Sequence, residues 1–386
     1  MNQVGTFRHI AGVLRSTQRA AIELENAPEQ RKRLRSFSAQ EVAALLSVKQ
    51  RDLRASGKAP IRLAFAEVQA LREALQGKVE GIAPVPHRRP SEALATIVFT
   101  NFKGGSAKTT SSVHFAQYMA LAGYRVLLLD LDSQGSTTAQ FGLDPSAEVG
   151  RTNSFTAWTA ARDTGSPIDA HALCQKTYWP AIDLVPAGAI LSEAEESLSQ
   201  RAASSGAEDT LYFEELRCFL GALGNRYDVA VVDTRPDVNM LMTAALHAAT
   251  GIVVPTRATM TDLASTGEFF AHIASYVADF NAAFGKGLDF DFARILVTAF
   301  DPTDRSQEAL VALMRERFGR SVLPGEFLHS RVMGTAGFGK ETLYEYDPST
   351  DRTAYNRVLA SVNAVNRAIE REVLRAWGRL PAEAAA

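Results

Sequence analysis

Residues 97–110 read I-V-F-T-N-F-K-G-G-S-A-K-T-T, and this stretch decides the fold. An apolar run suited to a buried strand ends in Gly104-Gly105, and Lys108, Thr109 and Thr110 follow. A strand that hands over to a helix through such a loop cradles phosphate. Loop N–H groups point at the anion, and the helix N-terminus adds partial positive charge. Lys108 supplies a full charge, and Thr109 places a hydroxyl where Mg²⁺ would sit. The strict pattern, G-x-x-x-x-G-K-[ST], has glycine at both ends of the loop; here the ends are Phe102 and Ala107. If position 107 requires positive φ, alanine costs roughly 1 kcal/mol there relative to glycine.

Four further runs follow in order. Residues 126–136 read V-L-L-L-D-L-D-S-Q-G-S, a continuous apolar run followed by Asp130 and Asp132. Such a run suits a strand covered on both faces, and ligand sites of open α/β sheets lie at the C-terminal strand ends. Residues 227–234 (Y-D-V-A-V-V-D-T) close on Asp233, which suits a carboxylate holding Mg²⁺ through water. Residues 250–256 (T-G-I-V-V-P-T) reach Pro255, and residues 293–298 (A-R-I-L-V-T) lead to another acidic loop at a strand end, at Asp301. With helical stretches between them, these runs predict an α/β fold with a doubly wound, mainly parallel sheet of the P-loop NTPase type.

Lys103, a second lysine inside the loop, is the mark of the deviant Walker A motif, and the chain resembles the ParA/MinD family of partition and positioning ATPases. The family pattern D-x-D-P-Q-G is matched at Asp130, Asp132, Gln134 and Gly135, with Ser133 in place of proline. The resemblance implies that ATP or ADP is held by Lys103, Gly104, Gly105, Ser106, Ala107, Lys108, Thr109 and Thr110, with the base near Pro255. It implies Mg²⁺ at Thr109, Asp130 and Asp233, and catalysis by Lys103, Lys108 and Asp132. Lys103 would reach across a nucleotide-sandwich homodimer to the partner's phosphates, and Asp132 would orient the attacking water. Family members usually continue D-T-P-P-S after the third run, where this chain has Asp233-Thr234-Arg235-Pro236-Asp237. Arg235 and Asp237 are expected to pair with each other. A site of this kind has no strong general base, so a slow ATPase whose nucleotide state acts as a switch is expected.

The 386 residues suggest two domains and a linker. No apolar stretch has the length of a membrane span, and the first residues lack the apolar core of a signal peptide. The two cysteines, Cys174 and Cys218, lack metal-ligand spacing, which points to a reducing cytoplasm and no zinc or iron–sulfur site. Charge is uneven. Residues 1–90 carry 16 Lys and Arg against 8 Asp and Glu, a net +8; with −2 for the whole chain, the remainder carries −10. A basic front on an acidic body is a cue for nucleic acid.

Residues 37–58, F-S-A-Q-E-V-A-A-L-L-S-V-K-Q-R-D-L-R-A-S-G-K, supply the motif. Ser38 with Glu41 is a capping box that starts a helix. Residues 49–55 suit a second short helix with Leu53 inward and Lys49, Gln50, Arg51 and Arg54 outward, until Gly57 stops it. This reads as a helix-turn-helix whose second helix enters the major groove of DNA. Residues 61–75 form a further amphipathic helix, residues 7–30 a lead helix that either serves as a dimer contact or packs on its own domain, and His87 a solvated linker residue. The expected organisation is a helical segment at 1–35, a small all-α helix-turn-helix domain at 36–76, a linker at 77–92 and a ParA-type ATPase domain at 93–386.

The glycine-punctuated loop at 334–346 (G-T-A-G-F-G-K-E-T-L-Y-E-Y), followed by a long helix over 351–376, resembles the RepA-type ParA proteins of replication–partition plasmids. The resemblance implies an ATP-dependent DNA-segregation protein, nucleoid-associated, that represses its own operon. It also implies a ParB-type centromere-binding partner and DNA binding both to an operator and without sequence preference. The alternative is a nucleotide-sensing transcription regulator without a segregation role. A membrane-positioning role is disfavoured, because the end R-L-P-A-E-A-A-A offers no apolar face to a bilayer.

Overall fold

The computed structural model describes residues 3–25, 32–46, 48, 53, 62–75, 87–203, 211–285, 287–338, 341–347 and 352–381. The front contains α1 (Gln3–Glu25), β1 (Phe37–Ser38), α2 (Ala39–Leu45), β2 (Arg62–Leu63) and α3 (Phe65–Leu75). The body contains β3 (Ala95–Phe99), α4 (Lys108–Ala122), β4 (Val126–Leu131), α5 (Ser136–Gln140), α6 (Phe155–Thr164), β5 (Gln175–Lys176), β6 (Ile182–Val185) and α7 (Leu191–Ala203). It continues with α8 (Glu215–Ala222), β7 (Val229–Thr234), α9 (Met240–Ala248), β8 (Gly251–Arg257), α10 (Met260–Phe284) and β9 (Phe292–Phe300). The last elements are α11 (Arg305–Phe318), β10 (Val322–Leu328), α12 (Arg331–Phe338) and α13 (Arg352–Ala376).

β3 to β10 form one eight-stranded sheet in the order β10-β9-β8-β3-β7-β4-β6-β5, parallel throughout except for β5 against β6. Alternation along each strand divides the apolar side chains between two layers. Ile97, Phe99, Val126, Leu128, Val229 and Val231 pack with α4 and α13. Val98, Leu127, Leu129, Ala230 and Val232 pack with α6 to α9 on the other face. Continuous apolar runs are therefore required, because neither face meets water. From β3 the chain crosses to β4 on one side, and from β8 to β9 on the other. Residues 100–107 thus lie where strand order reverses, the place at which such sheets bind ligands.

The predicted capping box is present: Ser38 N–H donates to Glu41 Oε2 at 2.8 Å, and Glu41 N–H donates to Ser38 Oγ at 3.3 Å. The front departs from an all-α unit in one respect. Phe37 pairs with Leu63 across two-residue antiparallel strands, so the helix expected over 61–75 begins only at Phe65. Leu53 is buried with Val42, Leu46 and Val68. Lys49, Gln50, Arg51 and Arg54 lie outside the described residues. The front core continues into the body: Arg35 Nε donates to Tyr344 O at 2.9 Å, and Arg72 Nη2 to Leu121 O at 2.6 Å.

Two further expectations change. Gly334 and Gly337 lie within α12 rather than in a loop; Val332 and Met333 pack on the core, and tertiary packing overrides the weak propensity of glycine. His87 is not a free linker residue. Its Nδ1 lies 2.8 Å from Asp228, whose buried carboxylate also binds Arg125 and the Arg88 N–H. None of the described helices is long and apolar enough to cross a membrane.

Candidate nucleotide and metal site

The loop after β3 is held from several sides. Asn101 Oδ1 accepts from Lys103 N–H at 3.2 Å, and its Nδ2 donates to Pro255 O at 2.8 Å. Carbonyls of the loop are taken in turn: Lys103 O by Lys108 Nζ (2.9 Å), Gly105 O by Arg257 Nε (3.0 Å) and Ser106 O by Thr298 Oγ1 (3.0 Å). By contrast, no amide N–H from Gly104 to Thr110 has a partner among the described residues. A run of unpaired N–H groups opening a 15-residue helix is an anion site by construction.

Ala107 has φ 70° and ψ 32°, the left-handed conformation considered for that position. Gly105, at φ 72°, shares the left-handed region. Lys108 is buried. Desolvation lowers the pKa of its ammonium, and the nearby Asp233 and Asp132 charges oppose that shift. Lys103 is half-buried, and its side chain has no hydrogen-bond or ion-pair partner among the described residues.

Beside the loop, strand register brings two carboxylates together: Asp130 pairs with Asp233 across β4 and β7. Both are fully buried. Burial raises both pKa values, and their mutual repulsion adds to the rise at Asp130. Asp233 Oδ2 accepts from Thr109 Oγ1 at 2.7 Å and from Thr137 Oγ1 at 2.8 Å, while its Oδ1 is buried with no partner. An orphaned carboxylate oxygen beside a hydroxyl and an anion loop fits a hard cation. No group of three or more His, Cys, Asp or Glu among the described residues could ligate a metal unaided. A cation at Asp233 would therefore draw its other oxygens from Thr109, phosphate and water, as Mg²⁺ characteristically does.

Asp130 plays a different part. Its Oδ1 accepts from Asp132 N–H at 3.1 Å, and its Oδ2 from Thr138 N–H and Oγ1 at 2.9 and 2.7 Å. It thereby shapes the loop that carries Asp132, whose Oδ1 accepts from Gln134 N–H at 3.0 Å. Pro255 is buried within β8. The expected pairing of Arg235 with Asp237 does not occur. Arg235 is half-buried, Asp237 is exposed, and neither has an ion-pair partner among the described residues. Surface charges flanking Pro236 gain too little from pairing to offset the ordering of both side chains.

A family model described as an AAA domain matches residues 94–285. Over 368 residues the chain is 36% identical to a putative replication protein A of Sinorhizobium fredii, covering 91% of this chain and 89% of that protein. The chain belongs to the ParA family of partition ATPases. It is also 26% identical over 373 residues to protein SopA of Escherichia coli K12, covering 92% of each. A solved structure described as a partition protein shares the fold with a TM-score of 0.63 at 15% identity, over 97% of this chain and 98% of that one.

Several residues of this ParA-type site escape sequence reading. Thr137 and Thr138 stand two and three residues after Gly135, and a hydroxyl pair in the first turn of a helix beside two acidic strand ends was the available signal. Arg257 stands one residue beyond the apolar run that ends at Thr256. Thr298 and Asn101 reach the loop only through strand adjacency, which a linear pattern does not encode.

Proposed function

We propose that this chain is an ATP-dependent DNA partition protein: a slow ATPase that dimerises around ATP, binds DNA in that state and represses its own operon. The observation that carries the reading is the unpartnered Asp233 Oδ1 beside Thr109, under a loop whose N–H groups from Gly104 to Thr110 have no partner among the described residues. Those amides and Lys108 bind the polyphosphate, and Thr109 with Asp233 holds Mg²⁺. When bound, Mg²⁺ neutralises phosphate charge and polarises the phosphoryl oxygens. Asp130 fixes the loop from which Asp132 orients water, and the Lys103 side chain, with no hydrogen-bond or ion-pair partner among the described residues, reaches the nucleotide of a second copy. Catalysis is then positioning and electrostatic stabilisation.

The front segment, through the helix that carries Lys49, Gln50, Arg51 and Arg54, supplies operator recognition, and a ParB-type protein is the partner that accelerates turnover. Two measurements test this. ATP hydrolysis should fall at least about tenfold in both Lys108→Ala and Asp132→Ala; unchanged turnover in both removes the mechanism. DNA titrations with no nucleotide, ADP and ATP should show random-sequence binding mainly with ATP. Equal binding in all three states favours a nucleotide-sensing regulator instead.

A further inference from the structure

The phosphate loop lacks both terminal glycines of the strict pattern, yet Ala107 still adopts the left-handed conformation. Something other than glycine must hold its peptides. A trans peptide points its C=O and the following N–H in opposite directions. A side chain that fixes a loop carbonyl therefore also aims the next amide. Lys108 does this for Gly104 N–H, Arg257 for Ser106 N–H and Thr298 for Ala107 N–H.

Arg257 differs from the other two. Lys108 is itself a phosphate ligand, and Thr298 is buried within β9. Arg257 ends β8, is exposed, and has no acidic partner among the described residues. Its guanidinium lies against the loop so closely that a Cβ on Gly105 would come within 3.2 Å of Nη2. An exposed arginine that forgoes a carboxylate for a single loop carbonyl is spending side-chain entropy on loop geometry.

We propose that Arg257 is a positioning residue of the nucleotide site, clamping the Gly105 carbonyl so that the Ser106 N–H faces the phosphates, in place of the restraint that the missing glycines provide elsewhere. The proposal rests on the nucleotide reading given above. It acts on binding rather than on the chemical step, because Arg257 touches the loop and not Asp132 or Asp233. It also couples to position 107: glycine there holds the left-handed conformation without strain, so the clamp matters less.

The test uses the full chain and a fluorescent ATP analogue carrying an N-methylanthraniloyl group, with Mg²⁺ present. Arg257→Ala should raise Kd about tenfold, equivalent to about 1.4 kcal/mol, while kcat at saturating ATP stays within about twofold. Ala107→Gly added to Arg257→Ala should recover part of the affinity. The Kd ratio of Arg257→Ala to unsubstituted protein should persist from about 0.05 M to about 0.5 M KCl, since a direct contact is not screened as a distant charge is. The proposal is overturned by an unchanged Kd, by a ratio that collapses in high salt, or by a double variant no better than Arg257→Ala. Loss of all analogue binding by the unsubstituted chain is a separate result, and it removes the nucleotide reading itself.

Discussion

Glu345 is the point at which the tail, the phosphate-loop helix and the front segment meet, and Glu345→Gln is the sharpest perturbation of that junction. Its Oε1 accepts from Gln117 Nε2 at 2.8 Å, from Trp179 Nε1 at 2.8 Å and from the Tyr178 hydroxyl. Its Oε2 accepts from Thr342 N–H at 2.9 Å and faces Lys32 Nζ at 3.5 Å. Glutamine keeps the shape but has one acceptor oxygen and two donor hydrogens. With its oxygen in the Oε1 place, the new NH₂ confronts Thr342 N–H and Lys32; flipped, it confronts three donors. At least two donors are thus left facing a donor, at about 1–3 kcal/mol each, and Lys32 can turn partly to water, so a net loss of about 2–4 kcal/mol is expected. Urea unfolding followed by tryptophan fluorescence reads this directly, because Trp179 is buried at the junction. The m-value must stay constant for the comparison to hold. A loss under about 1 kcal/mol would refute the assignment of Glu345 as the shared acceptor.

Two shorter predictions follow from the same geometry. Ala107→Gly relieves left-handed strain of about 1 kcal/mol, partly offset by unfolded-state entropy, so stability should stay level or rise, whereas Ala107→Val should lose about 1 kcal/mol or more; thermal melts of the two variants decide. His114 is fully buried, and desolvation lowers its pKa to about 4. Its Nδ1 donates to Thr110 O at 2.7 Å while Nε2 accepts from Leu343 N–H at 3.2 Å, so the neutral ring is the form that fits. Above about pH 6.5 both native and unfolded chains hold it neutral; between there and about pH 4 only the unfolded chain takes the proton, and stability falls by up to about 3 kcal/mol. His247, lowered by burial to about 4 as well, adds a second such limb. His114→Phe should remove one limb from the pH–stability curve and leave the other, and an unaltered slope would contradict the burial argument.

The parts of this protein that a linear pattern carries were legible. Continuous apolar runs announced β3, β4 and β7 because both sheet faces are covered, and the acidic strand ends announced Asp130 and Asp233, which register aligns, with Asp132 just past the end of β4. The structure separates what the sequence could not. Asp130 and Asp233 look alike in the sequence, yet three local donors occupy the former while an oxygen of the latter stays empty. Arg257, Thr298 and Asn101 meet the phosphate loop across strands remote in sequence, so no local signal marks them. Gly334 and Gly337 misled in the other direction, since glycine spacing suggests a loop where tertiary packing makes a helix. The 36% identical relative places the family over nearly the whole chain, but the reasons for each contact come from the geometry.

The central claim is that Asp233 and the loop at 103–110 together form a magnesium–nucleotide site. Calorimetric titration of ATP into the full chain, with Mg²⁺ and with EDTA, for unsubstituted protein and Asp233→Asn, tests it most directly. The account predicts binding that Mg²⁺ strengthens in the unsubstituted chain and a Mg²⁺ effect that vanishes in Asp233→Asn. Equal strengthening by Mg²⁺ in both proteins, or no ATP binding by either, would contradict it.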